Sequence, residues 1–179
     1  MNLRIRNLLL LVLVIAAAAP LHPATARGEE KFLNVALVDP VQIFNRDVTI
    51  RGIRLNLIYG VNRGMYGLDL GLANHVTGEA KGLQYGLVNL VDGPFTGWQD
   101  GVINLTRGKF TGLGTGLYNG YHDAEGLTWG FVNVTDHMSG LQIGFVNYTR
   151  TLYGLQIGLL NIVADKDKLP VLPIVNWSF

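Results

Sequence analysis

From residue 67 onward the chain alternates large apolar side chains with small or polar ones. One stretch reads Gly82-Leu83-Gln84-Tyr85-Gly86-Leu87-Val88-Asn89 and another Gly140-Leu141-Gln142-Ile143-Gly144-Phe145-Val146-Asn147. Leu83, Tyr85 and Leu87 share one parity, and Gly82, Gln84 and Gly86 the other. A period of two predicts strands rather than helices. After each Asn the apolar character lasts about one residue and then breaks at turn chemistry, as in Val91-Asp92-Gly93-Pro94 and Thr106-Arg107-Gly108-Lys109. Each unit therefore predicts one strand of about ten residues followed by a tight turn.

The unit Gly-Leu-Gln-apolar-Gly-apolar-apolar-Asn begins at Gly67, Gly82, Gly97, Gly112, Gly126, Gly140 and Gly154, at spacings of 15, 15, 15, 14, 14 and 14 residues. Its two glycines and its Asn recur in every copy, as in Gly82, Gly86 and Asn89; Gly97, Gly101 and Asn104; Gly140, Gly144 and Asn147; and Gly154, Gly158 and Asn161. These are structural repeat positions, and the glycines read as small groups that relieve crowding rather than as ligand contacts. Residues 52–60 form a degenerate copy upstream. Asp100, Gly114 and Thr115 depart from the pattern.

Two architectures accommodate such a repeat: an antiparallel meander of about eight to ten strands closed into a small barrel, or a β-solenoid of 14–15-residue coils. In the barrel the Leu face points to lipid and the Gly-Gln-Gly face inward, the alternation of outer-membrane strands. In the solenoid Leu68, Leu83, Leu113, Leu127, Leu141 and Leu155 line the core. The sequence favours the barrel, because Asp92, Arg107, His122, Asp136 and Arg150 occupy the positions where a coil needs a second buried strand. Strands over 33–44 and 49–60, seven repeat strands and a final strand over 170–179 make ten, an even number that leaves both termini on one side. Asp39-Pro40 predicts a break or bulge in the first of these. Asp100 then faces lipid, which leaves three readings open: a protomer contact, a polar partner such as Thr115 on the next strand, or an inverted facing of this unit.

The first 26 residues read as a secretory signal peptide: Arg4 and Arg6, an apolar run from Leu8 to Ala19, and a small-residue cleavage site at Ala24-Thr25-Ala26. Residues 27–179 then form a single β-repeat domain, with repeat units over 67–162 and a C-terminal strand over 170–179. The chain has no Cys, which excludes disulfides, thiolate metal sites and cysteine nucleophiles. Charged residues are sparse and nearly balanced, so a nucleic-acid partner is not expected. His122-Asp123 and Asp136-His137 invite a metal or acid–base reading, but successive turns of a meander lie at opposite ends of a barrel, so the two pairs are not expected to meet. His137-x-Ser139 lies in no nucleophile elbow. The expectation is no catalytic residue, no cofactor and no metal site.

The tandem units at Gly140–Asn147 and Gly154–Asn161, with the C-terminal run Leu169–Phe179, resemble bacterial surface repeat-containing proteins over roughly residues 50–179. The terminal strand, closing on Trp177 and Phe179, is similar to the insertion signal of bacterial outer-membrane barrels. The resemblance implies an envelope or cell-surface location and hands over no catalytic residue. The resulting expectation is a small non-catalytic outer-membrane barrel with a structural, surface-display or narrow-passage role, its partners outer-membrane lipid and the barrel-insertion machinery. A homo-oligomer is left open, and no ligand is indicated. The alternative is a soluble exported solenoid, periplasmic or at the cell surface, binding or adhering through exposed Gln and Asn rows.

Overall fold

A computed structural model describes residues 29–179; the signal peptide expected over 1–26 lies outside them. The chain forms β1 (Glu30–Val38), β2 (Val41–Gln42), β3 (Thr49–Asn62), β4 (Gly64–Val76), β5 (Ala80–Val91), β6 (Phe95–Val163) and β7 (Val171–Ser178), with no helix among the described residues. They make one sheet in the order β2-β1-β3-β4-β5-β6-β7. The first expected strand breaks at Asp39-Pro40, where β1 ends and the chain reverses into β2.

Successive repeats pair in parallel and in register, Gly67 opposite Gly82 opposite Gly97 and Asn74 opposite Asn89 opposite Asn104. A meander requires antiparallel neighbours, so the closed barrel is wrong and the chain is a β-solenoid. Parallel pairing needs a crossover of a dozen or more residues, and a coil of 14–15 residues supplies it by bending round the axis. Adjacent turns pair through their bends as well as their straight parts. That is why β6 runs for 69 residues without interruption, where separate strands were expected.

The interior is built from four positions per turn. Two residues before the first Gly stand Met65, Ala80, Phe95, Phe110, Ala124, Met138 and Leu152; two after the Asn stand Val76, Val91, Thr106, Tyr121, Thr135, Thr149 and Val163; all are buried. These supply the second buried column that Asp92 and Arg107 had seemed to deny the solenoid. The other two interior positions are the Gln and the Asn, which are 0–1% exposed. The Leu column is not the core: Leu68, Leu83, Leu113, Leu127, Leu141 and Leu155 face outward and are partly or well exposed. The polar parity faces in and the apolar parity faces out.

Both ends of the coil are covered. At the N-terminal end β1 adds in parallel to β3, Asn34 donates to Asn62 at 2.9 Å, and the fully buried Arg54 holds Asp69 through two hydrogen bonds of 2.7 and 2.6 Å. At the other end β7 lies antiparallel on Gly154–Ile162. Pro170, Pro173 and the positive φ of 69° at Ile174 interrupt its free edge, which discourages further strand addition. Trp177 and Phe179 sit exposed on this cap, with the Phe179 ring edge-on to Tyr153 at 5.8 Å.

Candidate functional site

The repeat Asn side chains form one continuous ladder. From Asn74 to Asn147 each Nδ2 donates twice, to the Asn Oδ1 of the next turn and to a backbone carbonyl there: Asn89 reaches Asn104 Oδ1 at 2.8 Å and Asp100 O at 2.9 Å, and Asn133 reaches Asn147 Oδ1 at 2.8 Å and Ile143 O at 2.9 Å. The series runs from Asn56 to Asn161, whose Nδ2 closes on Gly158 O at 2.9 Å. Aligned amide dipoles reinforce one another in a low-dielectric interior. The second glycine makes room for this. A Cβ on Gly86 would lie 2.4 Å from Gly71 O and 2.6 Å from Asn74 Nδ2. The first glycine is a corner: Gly82 has φ 123°, and a Cβ there would lie 2.1 Å from Gly67 O. Gly97, Gly101, Asn104, Gly140, Gly144, Asn147, Gly154, Gly158 and Asn161 occupy the same two stacks and the same ladder.

The Gln ladder runs the other way and is broken in the middle. Gln99 donates to Gln84 at 2.8 Å, Gln84 to Asp69 at 2.9 Å, and Gln156 to Gln142 at 2.7 Å. Between these segments Gly114 and Thr128 take the Gln place; the Thr128 hydroxyl is buried without a partner among the described residues, and the space left at Gly114 holds the Tyr121 hydroxyl, 2.3 Å from where a Gly114 Cβ would stand. Tyr121 replaces the Val or Thr of other turns and stacks on Phe110 at 4.0 Å, which stacks on Phe95 at 5.7 Å. The departure at Gly114 is thus a size exchange with Tyr121. Burial pushes the Tyr121 phenol well above the ordinary tyrosine value of 10.0.

The turn residues form a polar rim. Tyr59 Oη and His75 Nδ1 are 2.9 Å apart, His75 Nε2 and Asp92 Oδ2 2.9 Å, and Arg107 donates to Asp92 Oδ1 at 2.7 Å. His122 Nδ1 meets Asp136 Oδ2 at 2.7 Å, and the His122 and His137 rings lie 6.1 Å apart. The expectation that the two His–Asp pairs cannot meet is overturned, because turns that alternate ends in a barrel are stacked neighbours in a solenoid. Even so, both nitrogens of His75 are engaged between turns, His137 Nδ1 pairs with the Thr151 hydroxyl rather than Ser139, and among the described residues no group of three or more His, Asp or Glu is placed to hold a metal ion. Lys81 and the Tyr66 hydroxyl hold the Glu79 carboxyl below the usual range, and Lys109 does the same for Glu125. The rim reads as inter-turn pairing.

The remaining feature is the outer apolar face. Tyr85, Leu87, Leu117, Trp129, Phe131, Phe145 and Leu159 are each more than half exposed, and Phe131 stacks on Phe145 at 4.8 Å. The second-glycine column forms a groove floor along the coil axis between walls of larger side chains. The groove is shallow and open to solvent along its length: the section from Thr115 to Gly158 has a volume of about 740 Å³, and a second section from Gly71 to Leu117 about 400 Å³. Asp100 sits in the wall where the two sections join, partly buried, and accepts a hydrogen bond from the Thr115 hydroxyl, to which Trp98 Nε1 donates at 2.9 Å. Of the three readings left open for Asp100, the Thr115 partner is the one present. The exposed Gln and Asn rows of the alternative reading are not: those rows are the interior, and the exposed rows are aromatic and aliphatic. Alternation alone could not reveal this, although the repeated glycine between two large residues is its sequence trace.

Comparison of the chain with protein-family models, with curated proteins and with solved structures returned no match.

Proposed function

We propose that this chain is an exported, non-catalytic β-solenoid that acts as a binding or adhesive module through its apolar outer face. The observation that carries the reading is the ordered exposure of that face. Its seven most exposed side chains, at roughly 100 Å² apiece, present about 700 Å², above the roughly 300–600 Å² of the largest patch on an ordinary monomer. The interior holds itself together through its amide ladders and its own apolar columns, both separate from the outer face. An envelope or cell-surface setting suits the secretory leader expected over residues 1–26, and the capped ends suit a single rod presented to a partner.

The test is adhesion of the folded chain to alkyl-coated and hydroxyl-coated sensor surfaces, with circular dichroism recorded before and after. The reading expects retention on the alkyl surface, strongly reduced by Phe131→Ser with Phe145→Ser, at unchanged strand content. Equal retention on the two surfaces, or no effect of the double substitution, refutes it.

A further inference from the structure

Resting on that reading, the geometry points to one kind of occupant for the groove: a single linear alkyl chain whose head group is a hydrogen-bond donor or a cation. The groove continues from turn to turn, because every turn contributes the same glycine, and its walls are apolar apart from Asp100 and Thr115. From Gly116 to Gly158 it spans three inter-turn steps of about 4.8 Å, or about 14 Å, the reach of roughly a dozen carbons at ordinary bond lengths. The backbone amides of each turn are committed to the turns on either side. An extended peptide laid in the groove would bury its own N–H and C=O groups with nothing to pair them, at a cost of some kcal/mol per group. A hydrocarbon carries no such groups.

The head-group preference comes from Asp100. Its Oδ1 takes the Thr115 hydroxyl, while its Oδ2 makes no hydrogen bond and its charge no ion pair among the described residues. No Lys or Arg occupies the outward columns of the repeat face. An anionic head would meet this carboxylate unanswered, whereas a hydroxyl or ammonium head would bond to it while the tail runs past Leu117, Phe131 and Phe145. A second copy laid face to face about a two-fold axis through the groove centre would bring two Asp100 carboxylates into one apolar seam, which disfavours self-association there.

The test titrates the exported chain with sub-micellar dodecyl probes carrying trimethylammonium, maltoside or carboxylate heads, and with a butyl trimethylammonium control. Calorimetry and tryptophan emission report binding, sedimentation the oligomeric state, and circular dichroism the fold. The expected result is saturable one-to-one binding of the dodecyl chains, little binding of the butyl control, and carboxylate several-fold weaker than trimethylammonium. Asp100→Asn should remove most of that head preference while leaving chain-length dependence intact, and Phe131→Ser should weaken all dodecyl binding. Adhesion to the alkyl-coated surface without saturable dodecyl binding overturns the inference while the outer face stands as an adhesive surface; absence of both overturns both. Dimerisation that shields the tryptophans, or uptake only by zwitterionic phosphatidylcholine vesicles, overturns the single-chain occupant in favour of a second copy or a bilayer.

Discussion

Replacing Asn104 with Ala removes a rung from the middle of the amide ladder. Asn104 is 0% exposed, donates to Thr115 O and to Asn119 Oδ1 at 2.8 Å each, and accepts from Asn89 Nδ2 at 2.8 Å. The truncation leaves three buried partners each short of one bond. At about 1–3 kcal/mol per unsatisfied buried group, relaxed in part by neighbouring turns, the expected loss is roughly 3–6 kcal/mol. Asn104→Asp is a sharper test, because it keeps the shape and changes only the chemistry. The new oxygen would face Asn119 Oδ1 and Thr115 O, two acceptors, so at neutral pH Asp should be worse than Ala despite the better fit, and acidification should recover part of the difference. Urea unfolding followed by circular dichroism measures both, with Asn161→Ala as the internal comparison, since that terminal Nδ2 makes one bond within its own turn. A loss under about 1 kcal/mol for Asn104→Ala, or an Asp variant no worse than Ala, would refute a ladder that holds the coil.

Further outcomes follow from the interior. Gly114→Gln alone should lower the melting temperature by driving a side chain into Tyr121, whereas Gly114→Gln with Tyr121→Thr should recover most of it by recreating the Gln99–Thr106 pair, which is bonded at 3.1 Å. Arg54→Met leaves Asp69 buried and uncompensated and should cost about 3–5 kcal/mol in urea unfolding, while Arg54→Gln with Asp69→Gln, extending the neutral ladder, should cost far less. Because the folded pKa of Tyr121 is raised above its unfolded value, its contribution is complete below about pH 10 and declines as pH rises above that; ultraviolet titration should show one phenol ionising only with unfolding, a step absent in Tyr121→Phe. Gly86→Ala should abolish folding at ordinary temperature, judged by loss of the strand signal in circular dichroism.

The β class, the repeat spacing and the break at Asp39-Pro40 are legible in the sequence because each depends on local chemistry: period two, recurring Gly and Asn, and a proline that cannot donate. Two things are not. Alternation defines two faces without saying which is inside, and Leu83 with Leu87 looks like a core or a lipid face until the Gly86–Asn89 partnership is seen to need the interior. Pairing direction is equally silent in the turns. Its trace is the invariance of Asn at one place in every unit, since an in-register parallel stack sets Asn89 against Asn104, whereas a meander reverses direction at each turn and has no use for the match. Misreading that direction also separated His122 from Asp136, which only stacking brings together.

The chain has no Cys, so spin labels can be placed in pairs without background along the outer column Leu72, Leu87, Val102, Leu117, Phe131, Phe145 and Leu159. Pulsed dipolar distances from position 72 to positions 117 and 159 test the solenoid most directly. Three and six turns at about 4.8 Å each give separations of about 14 and 29 Å before label length is added, so the distance should grow linearly with turn number. A distance that rises and then falls back toward position 159, as strands returning round a closed circumference require, would contradict the coil.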